Sequence, residues 1–260
     1  MPIALADLAR RASELRGGSV LRRAFGLRPA RRPRDPVAVK NDAQLRWWVQ
    51  EWDPVLRNGG LNPSDAAALL GDAEIAPTYL GRRQQQARAE VVRVLREAAI
   101  DDPTFFHGRV VVDIGPGPLG FPDVCPARLS IGVDPLAERY AESGLMLPDS
   151  PALYLSCGAE QIPLVSASAD VVLARNSLDY VESPEQVLRE ARRILRPGGT
   201  LIALFDVDST PTPREPHRLT VERIRAAVRD MTVVREHRWD QPFATDGHRA
   251  IIVAEVPAAS

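Results

Sequence analysis

The chain is predicted to be an α/β protein built on a doubly wound, mostly parallel sheet, and three observations predict it. From residue 110 onward, short β-branched runs alternate with helical patterns; a glycine-rich turn follows the first run directly; and two strand patterns separated by a turn-rich stretch close the chain. The runs are Val110–Ile114, Leu129–Val133, Leu153–Ser156, Val171–Ala174 and Thr200–Phe205. Between the fourth and fifth lies a helix with Ser183 as cap and Pro184 in its first turn. Its buried face is Val187, Leu188, Ala191, Ile194 and Leu195, and Arg196-Pro197-Gly198-Gly199 stops it. Thr232–Arg238 and His248–Val256 are expected to pair as an antiparallel hairpin at the sheet edge.

Upstream, Asn41 or Asp42 is expected to cap a helix running to about Leu56, with Leu45, Trp48, Val49 and Trp52 on one face. Trp47, Trp48 and Trp52 either pack this helix onto the main domain or form a lid over an apolar substrate. A short helix from Pro63 or Ser64 to Leu70 follows. Then comes a longer one from Arg82 to Ala99 with Ala87, Val91, Val94, Leu95 and Ala98 as its stripe. The expected organisation is a basic arm and linker over 1–40, a helical accessory segment over 41–100, and a catalytic domain over 101–260.

Composition narrows the class. The 260 residues are 45% hydrophobic and 26% charged, the profile of a globular protein. No apolar run approaches the ~18 residues of a membrane span, and a formal net charge of -1 gives no global reason to expect nucleic acid. Cys125 and Cys157 are too few for a disulfide framework or a zinc site, so a reducing cytoplasm is expected. Lys40 is the only lysine among 33 basic residues. The first 40 residues are rich in Arg, from Arg10 to Arg34, and are read as a mobile arm, a docked helix or a contact to an anionic surface. They lack the apolar centre of a secretory signal.

Gly115, Gly117 and Gly120 stand at G-x-G-x-x-G spacing directly after a strand, and Asp134 closes the second strand. This lets a backbone approach a ligand and a carboxylate accept ribose hydroxyls, but it suits a nicotinamide cofactor nearly as well as a methyl donor. The longer strings discriminate. Val112-Asp113-Ile114-Gly115-Pro116-Gly117, Ile131-Gly132-Val133-Asp134-Pro135, Gly158-Ala159-Glu160-Gln161-Ile162-Pro163, Ala169-Asp170-Val171-Val172, Asn176-Ser177-Leu178-Asp179-Tyr180-Val181 and Leu195-Arg196-Pro197-Gly198-Gly199-Thr200-Leu201 occur in that order. Together they resemble the motifs of class I S-adenosylmethionine-dependent methyltransferases, closely over residues 105–205.

The resemblance implies a Rossmann-like seven-stranded sheet and S-adenosylmethionine as cofactor, with S-adenosylhomocysteine as product. It implies that Asp113 orients the first loop and faces the methionine amino group, that Gly115, Pro116 and Gly117 allow close approach, and that Asp134, with Pro135, takes the ribose. Ala159 and Glu160 would lie beside the adenine, and Asn176 and Ser177 near the methionine end. One departure stands out: Pro118, Pro122 and Pro126 fall where a helix should follow the glycine turn, so a short or irregular turn is expected there.

Methyl transfer needs a base only if the acceptor arrives protonated with a high pKa. His217, in the loop after the fifth strand, and Asp179 and Tyr180, beyond the fourth, are the candidate catalytic residues; His107, His237 and His248 are weaker ones. No Asn-Pro-Pro-Tyr-like string follows the fourth strand, no cysteine is placed as a nucleophile, and Asp170, Asp206 and Asp208 form no clear metal set. The expected activity is therefore methyl transfer to a small molecule, first an oxygen of a natural product or sugar, with nitrogen and carbon as alternatives close behind. Arg175, Arg214 and Arg218 suggest an acidic or phosphorylated acceptor. A homodimer is compatible with this reading. An RNA methyltransferase using the basic arm, and a non-catalytic S-adenosylmethionine-binding regulator, stay open as alternatives.

Overall fold

The computed structural model describes residues 36–58, 76–118, 120–242 and 248–258. The basic arm, the linker up to Asp35 and the short helix expected from Pro63 or Ser64 lie outside the described residues. Helix α1 (Pro36–Trp47) runs through a π-helical turn (Trp48–Trp52) into α2 (Asp53–Arg57), and α3 spans Tyr79–Glu97. The sheet domain follows as β1 (Val110–Ile114), α4 (Phe121–Val124), β2 (Leu129–Val133), α5 (Ala137–Glu142), β3 (Leu153–Leu155) and β4 (Ala169–Arg175). It ends with α6 (Pro184–Ile194), β5 (Leu195–Val207), α7 (Val221–Ala227), β6 (Thr232–Pro242) and β7 (His248–Glu255).

The seven strands form one sheet in the order β3-β2-β1-β4-β5-β7-β6. All pairs from β3 to β5 are parallel, while β7 is antiparallel to both β5 and β6. The order reverses between β1 and β4, which opens a crevice at the carboxyl ends of those strands. β1 and β4 are buried at every residue, as expected for central parallel strands covered on both faces.

Alternation sorts each strand between two cores. Val112, Ile114, Val172, Ala174, Ala203 and Phe205 face α6 and α7. Val111, Leu173, Ile202, Leu204 and Ile251 face the α3 side, with Val94, Ala98, Phe106 and Phe121. A third cluster joins Trp48 and Trp52 to Leu136, Tyr140 and Leu145. Helix starts are capped as sequence chemistry dictates: Oγ of Ser183 accepts from Gln186 N at 3.3 Å, and Thr78 and Thr220 do the same for α3 and α7.

Three expectations need correction. The first helix begins at Pro36, so Asn41 and Asp42 lie inside it and cap nothing; the proline supplies its first turn instead. β5 starts at Leu195, because Leu195 pairs with Ala169 before the Pro-Gly-Gly detour and Thr200 resumes against Val171. On α3, Val91 and Leu95 are only partly buried, whereas Arg82, Arg83, Gln86, Glu90 and Arg93 are buried. The turn after β1 is short, as the prolines require: α4 has four residues.

Candidate functional site

The glycine turn leaves β1 with Gly115 and Gly117 at φ 63° and 55°, a left-handed backbone that side chains disfavour. Gly115 N donates to Val133 O at 2.8 Å, which ties the turn to β2. Asp134 sits where β2 ends, 6% exposed. Its Oδ2 accepts Gly117 N at 3.1 Å and its Oδ1 accepts Leu136 N at 2.8 Å. Burial raises its pKa to about 6, against the pull of those two amides. Cγ of Pro116 lies against Gly132, and Pro135 O accepts the Ser156 hydroxyl at 3.4 Å. Ala159 is buried beside this edge. Oε1 of Glu160 accepts Glu182 N at 2.8 Å and Ser183 N at 3.3 Å, so this carboxylate also anchors the approach to α6.

Asp113 faces the opposite core and is 1% exposed. Its Oδ2 accepts Arg175 Nη2 at 2.7 Å, while Arg175 Nη1 donates to Glu90 Oε2 at 2.8 Å and the guanidinium lies 4.5 Å from the Phe121 ring centre. Glu90 also accepts from Arg93 at 2.5 Å. Burial pushes the Asp113 carboxyl up and Arg175 counteracts it; burial opposes the Arg175 charge, which its two carboxylates more than restore. Oδ1 of Asp113 is buried without a hydrogen bond. Arg83 of α3, also 1% exposed, braces the same region by donating to Pro118 O and Leu145 O.

The tryptophan helix roofs the glycine turn. A Cβ on Gly117 would stand 2.8 Å from Cζ2 of Trp48, and Trp48 meets Trp52 and Tyr140 edge-on at 5.1 and 6.5 Å. Polar contacts fasten the helix across the carboxyl ends of the strands: Lys40 Nζ donates to Tyr180 O, Arg139 pairs with Asp42 at 2.6 Å, and Arg214 lies over Trp47 at 5.5 Å. Trp48 and Trp52 thus pack this helix onto the main domain.

At the exits of β4 and β5 the backbone turns left-handed at two non-glycine residues, Asn176 (φ 47°) and Asp208 (φ 60°), both of types that tolerate it. Asn176 Oδ1, Ser177 Oγ, Asp179 Oδ1, Asp206 Oδ1 and Ser209 Oγ are buried here without hydrogen bonds, as is Nδ1 of His248, which stands opposite Val207. Ser177 abuts the glycine turn: its Cβ is 2.6 Å from where a Cβ on Gly115 would stand. Burial, then the charges of Glu215 and Asp206, raise the pKa of Asp179 to about 7. The Tyr180 hydroxyl donates to Glu215, and burial pushes that hydroxyl up further. His217 Nε2 is engaged with Val181 O at 3.0 Å. Ser209 is the residue that the sequence does not single out here; Asp206 is offered there only toward a metal and His248 only as a weaker base, and their place at strand ends is the signal that joins them.

The arginines offered as a recognition set for an acidic acceptor are engaged otherwise. Arg175 is held by Asp113 and Glu90, Arg218 pairs with Asp208 at 3.2 Å, and Arg214 lies between Trp47 and Glu215, 3.8 Å from the latter.

Residues 112–203 match the family described as "Methyltransferase domain". An uncharacterized 37.1 kDa protein in transposon Tn4556 of Streptomyces fradiae is 30% identical over 132 residues, 48% of this chain and 38% of that protein. An uncharacterized methyltransferase of Mycobacterium bovis is 28% identical over 104 residues, 38% of this chain and 40% of the relative. The chain thus spans about two fifths of the length of these curated relatives. Among solved structures, the [4+2]-cyclase SpnF superposes with a TM-score of 0.55 at 16% identity, covering 85% of this chain and 96% of that one. The Burkholderia thailandensis 1,6-didemethyltoxoflavin-N1-methyltransferase, crystallised with its substrate and S-adenosylhomocysteine, gives 0.54 at 15% identity, covering 89% and 93%. Joined to the strand order and the glycine turn, the match marks segment 112–203 as similar to a methyltransferase domain.

Proposed function

We propose that this chain transfers a methyl group from S-adenosylmethionine to a small-molecule acceptor held at the exits of β4 and β5. The observation that carries the reading is the adjacency of the two half-sites: Ser177, on the turn that bears Asp179, packs directly against Gly115 of the donor turn. The residues present fit the donor. Both oxygens of Asp134 accept one backbone amide each and keep a lone pair for ribose hydroxyls. Oδ1 of Asp113 and Oδ1 of Asn176 are buried acceptors without donors, suited to an amino group. Trp48 offers an apolar wall over Gly117.

When bound, S-adenosylmethionine supplies an electrophilic methyl group on a sulfonium. The chain's own residues do the rest. Arg175 holds Asp113 in place and offsets part of the burial that raises its carboxyl, Asp134 and the glycine turn set the donor's register, and the α1 roof with Trp48 excludes water. Asp179, titrating near 7, holds a proton taken from the acceptor. Tyr180 and His217 are engaged with Glu215 and Val181 and shape the wall. The likeness to a cyclase shows that this fold hosts other reactions too; methyl transfer is favoured here by the titrating carboxylate next to the donor turn. No described helix is long and apolar enough to cross a membrane.

Calorimetry with S-adenosylhomocysteine tests the reading. Binding is expected, and Asp134→Ala should weaken it about tenfold or more, the worth of a hydrogen bond to a charged group. Binding of NAD without binding of S-adenosylhomocysteine would overturn it.

A further inference from the structure

We propose that the exits of β4 and β5 form a subsite for a small basic amine, gripped by Asp179 and Asp206, and that its nitrogen is the methylated atom. The inference rests on the methyl-transfer reading and names its substrate class.

Three independent features point to a ligand rich in hydrogen-bond donors. First, three oxygens are buried here without a donor, Oδ1 of Asp179, Oδ1 of Asp206 and Oδ1 of Asn176, alongside Oγ of Ser209 and Nδ1 of His248. Buried acceptors without donors cost about 1–3 kcal/mol each, so several at one place call for a donor that arrives from outside the chain. Second, Ser177 is 5% exposed and its hydroxyl has no partner, although it lies against the donor turn. Third, the neighbouring cations are already engaged. Arg249, which faces Asp206, pairs with Glu97 at 3.2 Å; Arg214 lies between Trp47 and Glu215; and Lys40 donates to Tyr180 O. Asp179 therefore feels the charges of Glu215 and Asp206 on top of its burial, and all three push it up; burial and Glu215 push Asp206 up as well, with Arg249 opposing them. Among the described residues no three His, Cys, Asp or Glu side chains are close enough to hold a metal ion, so a divalent cation is not the natural occupant.

An ammonium group answers all three features, with donors for the orphaned oxygens and a charge for the crowded carboxylates. The chemistry balances. Asp179 accepts one proton from the acceptor ammonium, and the freed nitrogen lone pair forms the new C–N bond as the S–CH3 bond breaks. Sulfur leaves as a neutral thioether, and the product nitrogen carries the positive charge that the sulfonium had. This selects nitrogen over the oxygen that the sequence puts first.

The test is a thermal-shift and calorimetric comparison on the full chain saturated with S-adenosylhomocysteine. The probes are butylamine and phenethylamine, their alcohols 1-butanol and 2-phenylethanol, and their acids butyrate and phenylacetate. The amines should raise Tm and bind, and the alcohols and acids should not. Asp206→Asn and Asp179→Asn should each weaken amine binding about tenfold or more while keeping the S-adenosylhomocysteine affinity, which also reports that each variant is folded. Equal shifts from alcohols or acids, or no shift from either amine, overturns the proposal. Failure to bind S-adenosylhomocysteine at the outset is a different result, because it overturns the methyl-transfer reading itself.

Discussion

Arg175→Met removes the one cation that touches Asp113 among the described residues, and the structure fixes what should follow. The wild-type guanidinium spans two carboxylates at 2.7 and 2.8 Å, all three groups being nearly out of solvent. Methionine matches the stem but leaves Asp113 with no counter-charge, whereas Glu90 keeps Arg93. Breaking a buried pair by removing one partner costs about 3–5 kcal/mol, a large part of the ~5–15 kcal/mol that holds a domain together. The pH dependence has a definite sign. Burial already pushes Asp113 up, and without Arg175 it rises further, so the folded state keeps a proton that the unfolded chain loses near 4. The variant's deficit should therefore grow as pH rises from about 4 and shrink on acidification. Urea unfolding at pH 5 and pH 8 measures both quantities. Adding Asp113→Asn should recover much of the loss, because the orphaned charge is gone, while Glu90 stays paired with Arg93. A deficit under about 1 kcal/mol at pH 8, or one that does not depend on pH, refutes the assignment of Arg175 as the counter-ion of Asp113.

Asp179→Asn should lower kcat by about 10²–10⁴ and abolish the rise in rate through pH about 7 expected for the wild type; a pH–rate profile with an unchanged rise would remove Asp179 from the proton path. Gly117→Ala forces a left-handed alanine, about 1–2 kcal/mol, and drives its Cβ to 2.8 Å from Trp48. Trp48→Ala relieves only the second cost, so a double-mutant cycle by urea unfolding should give a favourable coupling of about 1 kcal/mol, and simple additivity would place Trp48 away from the turn. Asp134 and Asp179 are both raised, to about 6 and about 7. The ligand-free protein should lose the stability they contribute as pH climbs from about 4 through 7. Differential scanning calorimetry of the Asp134→Asn/Asp179→Asn variant should show that slope flattened.

Legibility in the sequence followed the range of the interactions. β1 and β2 were readable to the residue, because five residues, all buried but Leu129, bounded by a glycine turn or by Asp134 leave no freedom of length. Ser183 and Pro184 announced α6 by local chemistry alone. β5 was read too short, since its first pairing, Leu195 with Ala169, is decided by a strand far away in sequence. The polar face of α3 failed for the same reason. An apolar stripe reports only burial against apolar partners, while Glu90 is buried against Arg175, 85 positions on. The donor residues could be named because the motif is contiguous; the acceptor side assembles from Asp179, Asp206 and His248, which no local pattern joins.

The exit of β4 explains why the two half-sites do not drift apart. Over five positions it carries Arg175, which grips Asp113 on the α3 face, then left-handed Asn176, then Ser177 against Gly115, and then Asp179. One short, buried segment thus fixes the register of the donor turn relative to the acceptor carboxylate. In-line displacement needs that register held to a fraction of an ångström. Arg175→Met should then weaken S-adenosylhomocysteine and amine binding together, whereas Asp134→Ala, lying across β1 on the far strand, should weaken only the former. If Arg175→Met left amine affinity untouched while donor affinity fell, the exit of β4 would not be the shared brace.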